Sequence, residues 1–134
     1  MNNLPINSSS VAGVILSKTV NTTKLLLLKR AKDNFWPHVS GKLEKDETAW
    51  QAILREIQEE TSLEIEVLYA ADYIEPFYDI STNTLMLVPA FVAIAPQDAT
   101  LRLNDENTEC RWCSLEEAKA IAPFPNQKAL YEYV

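Results

Sequence analysis

Three glutamates, Glu56, Glu59 and Glu60, crowd into the short stretch ILREIQEETSLEI. Residues three or four apart share one face of a helix, and like charges placed there cost about 0.2–0.5 kcal/mol per pair. Near a helix C-terminus the macrodipole adds roughly 0.3–1 kcal/mol against each. Such crowding asks for a cation. Hard carboxylate oxygens at this density suit Mg²⁺ or Mn²⁺ rather than zinc or copper. Magnesium keeps several of its waters and is commonly shared with phosphates, so a polyphosphate is the ligand most naturally implied. Glu47 and Arg55 fall two turns apart on the adjoining side, where long side chains can pair and fix the arginine beside the acidic group. The competing reading of the same residues is a solvated acidic helix face.

The elements that must carry these residues can be traced outward from them. Asp46 reads as the helix N-cap, with Glu47 in the first turn where negative charge is favoured. Ala49, Ala52, Ile53 and Ile57 supply helical apolar spacing. Val11–Leu16 and Lys24–Lys29 are β-prone runs separated by the polar turn VNTT. The second run, KLLLLKR, is apolar almost throughout, as expected of a strand covered on both faces. Phe35–Val39 reads as a short extended piece, Glu64–Pro76 and Thr84–Ala95 as longer strands, and Thr108–Trp112 as a short one. Asp98–Glu106 is a polar, glycine-free connection, long enough to suggest a segment kept for function more than for packing. Ser114 and Glu117 form a capping box opening a helix, and NQKALYEYV reads as a terminal helix. This order predicts an α/β sandwich with a mixed sheet.

Composition narrows the function classes. The 134 residues suffice for one domain, read as 1–134 with a flexible N-terminus over 1–9. MNNLPINSS lacks the basic start and apolar stretch of a signal peptide, and no apolar run is long enough to span a bilayer, so a cytoplasmic protein without membrane contact is expected. A net charge of −7 argues against a nucleic-acid polymer as partner. Cys110 and Cys113 form a C-x-x-C, yet zinc needs more ligands and His38 is the single histidine. On a strand the two sulfurs would point to opposite faces, so reduced structural cysteines are expected.

The whole segment from Gly41 onward resembles the Nudix box, G-x5-E-x7-R-E-U-x-E-E-x-G-U, with U a bulky aliphatic residue. Gly41, Glu47, Arg55, Glu56, Ile57, Glu59, Glu60 and Leu63 match; Ser62 stands where the family has glycine. The resemblance implies a loop–helix–loop in a Nudix-type α/β/α sandwich with a mixed sheet. It also implies hydrolysis, with a divalent metal, of a nucleoside diphosphate linked to another group. Carried over by position, Glu56, Glu59 and Glu60 would be metal ligands, joined by the Ser40 carbonyl. Glu47 and Arg55 would be the orienting pair, and Gly41 would allow a tight loop. Serine at position 62 would cost about 1 kcal/mol if its φ is positive.

Beyond the box, KRAKDNFWPHVSG, ENTECRW and PNQKALYEYV resemble a bacterial subgroup, the dihydroneopterin triphosphate pyrophosphatases, also described as dATP pyrophosphohydrolases. In that subgroup an acidic residue shortly before the last strand approaches the metal. Glu106 is the matching position, Glu109 the runner-up, and Asn107 stands where the subgroup tends to have histidine. Should neither serve as base, Glu59 is the next candidate. Arg30 and Lys42 flank the box loop and could hold phosphates or simply face solvent. Phe35, Trp36 and His38 read as structural, while Tyr73, Phe77 and Tyr78 either pack or line a ring pocket.

The expected activity is metal-dependent cleavage of a (d)NTP or dihydroneopterin triphosphate to a monophosphate and pyrophosphate, by a monomer or homodimer. The alternatives are a dinucleoside polyphosphate or nucleotide sugar as substrate, or a Nudix-fold binding module without catalysis. The intact R-E-x-x-E-E core argues against that module.

Overall fold

The computed structural model describes residues 2–19 and 21–134. Strands β1 (Ile6–Asn7), β2 (Ser10–Lys18), β3 (Thr23–Arg30) and β4 (Val39–Lys42) precede helix α1 (Ala49–Thr61). Strands β5 (Val67–Asp79), β6 (Thr84–Ile94) and β7 (Asn107–Cys113) follow, then helices α2 (Leu115–Ile121) and α3 (Pro125–Tyr133). They form one mixed sheet in the order β1-β6-β2-β3-β7, with β4 added to β2 and β5 to β6. β6 runs parallel to both β1 and β2, and the remaining pairings are antiparallel. Among the described residues no helix is long and apolar enough to cross a membrane.

Strand alternation splits the core into two layers. On one face Leu26 and Leu28 pack with Ala52, Ile53 and Ile57 of α1. On the other, Leu25 and Leu27 pack with Ala118 of α2 and Leu130 and Tyr131 of α3. All four leucines are buried, which is why KLLLLKR shows no polar alternation. The result is the expected α/β/α sandwich. Gly13 lets α1 settle onto β2, since a Cβ there would stand 2.7 Å from Ile53 Cγ1.

Several boundaries differ from the sequence reading. Helix α1 is capped by Thr48, not Asp46: Thr48 Oγ1 accepts from the Gln51 amide and Gln51 Oε1 accepts from the Thr48 amide. Asp46 instead takes a left-handed turn conformation with φ 65°, and Glu47 stays outside the first turn, where the helix carries no acidic residue. Gly41 has no positive φ and sits on β4, so a tight loop is not what requires it. Within the segment expected to be a flexible N-terminus, Ile6 and Asn7 pair with Leu85 and Met86. Met1, and Val20 in the expected VNTT turn, lie outside the described residues; Thr19 and Thr22 close that turn with an N–H···O bond of 2.8 Å.

The connection after β6 is also less free than its polarity suggested. Leu101 and Leu103 pack against the α1 face of the core, and the Arg102 amide donates to the Thr61 carbonyl at the end of α1. Packing therefore fixes where this loop delivers Asp105 and Glu106.

Candidate active site

Arg55 organises the acidic end of α1. Its Nε and Nη2 donate to the two oxygens of Glu47 at 2.7 and 2.9 Å, a two-pronged pairing that fixes the guanidinium plane. Nη2 also donates to the Lys42 carbonyl at 2.9 Å, tying the helix to β4. Nη1 reaches Glu56 Oε1 at 2.9 Å and Glu59 Oε2 at 3.3 Å. Hydrogen bonding to Arg55 holds the Glu47 carboxyl below its ordinary range, and the same pairing pushes Arg55 further up. Gly41 is explained here: a Cβ at this position would overlap the Glu56 carboxyl group. The glycine is a clearance for Glu56, whose carboxylate comes up against β4 there.

Glu60 points the other way, into the protein. It is buried, and Asn107 Nδ2 at the start of β7 donates to its Oε1 at 3.0 Å. Its Oε2 is sealed from solvent and has no hydrogen-bond donor. Burial pushes the Glu60 carboxyl up to about 7, the Asn107 bond opposes the rise, and the charges of Glu106 and Glu56 and a carboxyl–carboxyl approach to Glu56 add to it. Glu56 is also raised, by burial first, with Arg55 opposing and Glu59 and Glu106 reinforcing. Three carboxyl groups, Glu56, Glu60 and Glu106, thus stand within electrostatic reach of one another.

Whether these residues suit a divalent metal can be judged from their chemistry and placement. No three acidic, histidine or cysteine side chains among the described residues converge as a finished cage. The reason is visible: Arg55 draws Glu56 and Glu59 toward itself, while Asn107 holds one oxygen of Glu60. The orphaned Oε2 of Glu60, the mutual repulsion of the three carboxyl groups and an all-oxygen donor set nevertheless fit a hard cation.

Two cavities that share part of their lining open near this group. The smaller, about 460 Å³, is lined by Glu60, Glu106, Asp105, Asn107, Arg30 and Lys32 among others. The larger, about 730 Å³, is lined by Lys42, Glu75, Phe77, Tyr78, Met86 and Phe124 among others. Arg30, His38 and Ser40 border both. Of the residues singled out from sequence, the structure therefore gathers Glu60, Glu106, Ser40 and Arg30 around the smaller lobe and Lys42 on the larger. Glu56 lies against β4 at Gly41, and Glu59 projects toward solvent, its side chain half exposed. The Arg30 guanidinium is already engaged, donating from Nε to Asp33 at 3.1 Å. Glu109 is set apart, paired with Lys29 at 3.3 Å.

His38 is buried as expected of a structural histidine: Nδ1 lies 2.9 Å from the Tyr131 hydroxyl and Nε2 lies 2.9 Å from Glu75 Oε1. The second contact sets a buried carboxylate oxygen beside the imidazole at ion-pair distance. Trp36 packs on the α2/α3 face of the core under the Arg111 guanidinium. Phe35 meets Phe124 edge to face, and Tyr73 packs beside Tyr133. Phe77 and Tyr78 do line the larger lobe. Cys110 is exposed and Cys113 buried, both free, as strand geometry requires. Lys32, Glu75 and Gln127 were not picked out from sequence, and Asn107 was noted only as a departure from the subgroup's histidine. The one available signal was Glu75, a lone acid inside the strand run YIEPFY.

A model of the NUDIX domain matches residues 8–133. The asymmetrical bis(5'-nucleosyl)-tetraphosphatase of Rattus norvegicus is 29% identical over 119 residues, spanning 86% of this chain and 81% of that protein. The dihydroneopterin triphosphate diphosphatase of Haemophilus influenzae is 42% identical over 60 residues, spanning 44% of this chain and 37% of that protein. The crystal structure of a C. elegans Ap4A hydrolase binary complex matches with a TM-score of 0.81 at 25% identity, covering 95% of this chain and 94% of that one.

Proposed function

The chain belongs to the Nudix family and is a hydrolase of pyrophosphate bonds, and from that premise we propose that it cleaves a nucleoside triphosphate-like substrate to a monophosphate and pyrophosphate with the help of Mg²⁺ or Mn²⁺. The observation that carries this reading is the buried Glu60 Oε2, without a protein donor and within reach of the Glu56 and Glu106 charges, beside the smaller cavity that Glu60 and Glu106 line. Bound there, a divalent ion supplies charge neutralisation for the phosphates and a more acidic water.

Glu56, Glu59 and Glu60, with the Ser40 carbonyl, are the groups that would hold it. Arg55, locked by Glu47, keeps Glu56 in place. Glu106, which lines the same cavity as Glu60, would take a proton from the attacking water as that water's oxygen bonds to phosphorus. The P–O bond to the pyrophosphate leaving group then breaks. Lys42, Arg30 and Lys32 present positive charge to the phosphate chain, and the larger lobe leaves room for a ring between Phe77, Tyr78 and Phe124.

A second reading, cleavage of a dinucleoside polyphosphate, is favoured by the near full-length likeness to the rat and nematode proteins. A substrate panel with Mg²⁺, scored for pyrophosphate against orthophosphate and nucleotide products, separates the two. Pyrophosphate release from a triphosphate supports the first reading. Turnover of dinucleoside polyphosphates alone supports the second, and no turnover of either class overturns both.

A further inference from the structure

The loop that leaves β3 is folded around the guanidinium of Arg30. Nε donates to Asp33 Oδ1 at 3.1 Å and Nη2 donates to Asp33 Oδ2, so the carboxylate takes one whole edge of the planar fork. Asp33 is fixed in its turn, because its Oδ1 also accepts from the Phe35 amide at 3.0 Å. The Phe35 ring covers a face of the guanidinium, its centroid 5.7 Å from Cζ. The Arg30 amide donates to the Phe35 carbonyl at 2.8 Å, and the Asn34 amide donates to the Arg30 carbonyl at 2.9 Å. A further bond, from the Ala31 amide to the Glu106 carbonyl at 2.9 Å, ties this loop to the segment that carries the candidate base. A guanidinium has five N–H groups, and Asp33 uses only those of the Nε/Nη2 edge. The Nη1 edge takes no part in these bonds. Arg30 is partly exposed and belongs to the lining that the two cavities share.

We propose that Asp33 is a positioning residue for phosphate, holding Arg30 by one edge so that its other edge meets a phosphoryl group already oriented. This deepens the hydrolase reading, on which it rests. A free arginine loses much rotamer freedom when it binds an anion. Pairing with Asp33 moves that ordering from the binding step to folding. The fork can serve a carboxylate on one edge and a phosphate on the next, which the compact ammonium of lysine cannot do with the same geometry. By charge alone Asp33 opposes an anion beside Arg30. Positioning and charge therefore predict opposite signs for its neutralisation, and the sign is what the experiment reads.

The test is equilibrium binding of inorganic pyrophosphate to the whole chain without divalent metal, so that neither turnover nor the metal site enters. Salt is held at about 0.15 M, where exposed charges more than about 8 Å apart are largely screened. Arg30→Ala should weaken binding by at least about tenfold, as expected of a charge-assisted pair. Asp33→Asn keeps the oxygen that accepts from Phe35 but sets an amide N–H₂ against the guanidinium. Checked for an unchanged melting temperature, it should weaken binding by about two- to tenfold, the cost of ordering one long side chain. In the Arg30→Ala background the same change should leave binding unaltered or tighten it. Native-like binding by Arg30→Ala overturns the proposal, as does unaltered or tighter binding by Asp33→Asn alone. Equal weakening in both backgrounds also overturns it, since Asp33 would then act on the fold and not through Arg30. Should Asp33→Asn fail to fold, Arg30→Lys decides: it should bind like Arg30→Ala, and native-like binding overturns the positioning role. A native chain that does not bind pyrophosphate at millimolar concentration overturns it as well. Arg30-dependent binding with no turnover in the substrate panel would sink the hydrolase reading and leave the positioning role standing. Turnover in the panel with native-like binding by Asp33→Asn would sink only the positioning role.

Discussion

At Arg55 one guanidinium serves four carboxylates, Glu44, Glu47, Glu56 and Glu59, and the Lys42 carbonyl as well. Its role is to hold neighbours in place, so Arg55→Ala should lower turnover yet leave measurable Mg²⁺ affinity. Titration calorimetry on the folded variant checks this, and complete loss of affinity would mean that Arg55 builds the metal site itself. For the carboxylates, Mg²⁺ or Mn²⁺ should raise the melting temperature of the native chain, since a ligand of the folded state stabilises by about 2.7 kcal/mol at a hundredfold excess over its Kd. A Glu56/Glu59/Glu60 triple Gln variant that keeps the same shift would remove these residues from the site. Glu106 and Glu109 divide on position: one lines the lobe beside Glu60, the other pairs with Lys29. Glu106→Gln should therefore cut kcat by roughly 10²–10⁴ if it is the base, while Glu109→Gln should stay near native. Near-native turnover in both would move the base to α1, with Glu59 next in line.

Helix α1 shows how an element can keep its function while breaking a local rule. It ends at Ser62 with φ 66° and ψ 9°, the left-handed conformation in which a side chain is strained by about 1 kcal/mol. The ligand-bearing residues all precede that point, and the Ser62 amide still closes the helix on the Gln58 carbonyl at 2.9 Å. Ser62→Gly should relieve the strain, offset in part by greater freedom of the unfolded chain and by loss of the Ser62 Oγ bond to the Arg102 carbonyl. The expected net is a stabilisation of about 0.5–1 kcal/mol, read by chemical denaturation, with activity unchanged. Destabilisation would show that the Arg102 contact outweighs backbone strain. The start of the helix teaches the complementary lesson. Both Asp46 and Thr48 are good caps by residue type, and Thr48 prevails because Gln51 three residues on completes a reciprocal pair. Glu47 is thereby left outside the helix, free to fold back onto Arg55.

For the molecule as a whole, the buried acidic group makes stability depend on pH in a definite direction. Glu60 titrates near 7 in the folded chain against an ordinary 4.5, so between those values the folded state binds the extra proton. Stability of the chelator-treated protein should then fall as pH rises from about 4.5 to about 7 and level off above, by on the order of 2–3 kcal/mol. The raised Glu56 acts in the same sense. Glu47, held low, contributes stability that is lost only below that window. Denaturant unfolding at pH 5 and pH 8 reads the effect, and Glu60→Gln should flatten it; an equal slope in native and variant would refute the assignment. Much of this architecture is local and so was legible in the chain itself. The spacing of Glu47, Arg55, Glu56, Glu59 and Glu60 follows from helical periodicity, KLLLLKR announces a strand covered on both faces, and Ser114–Glu117 announces a cap. Tertiary structure decided what depends on approach between distant segments. Gly41 leaves room for the Glu56 side chain from another element, and its own backbone has no positive φ. Glu60 is buried because Asn107, 47 residues away, closes over it. Glu75 is turned inward beside His38 because β5 pairs with β6 at the wall of a cavity. Sequence periodicity tells which face a residue occupies; burial and partnership arise only when the faces meet.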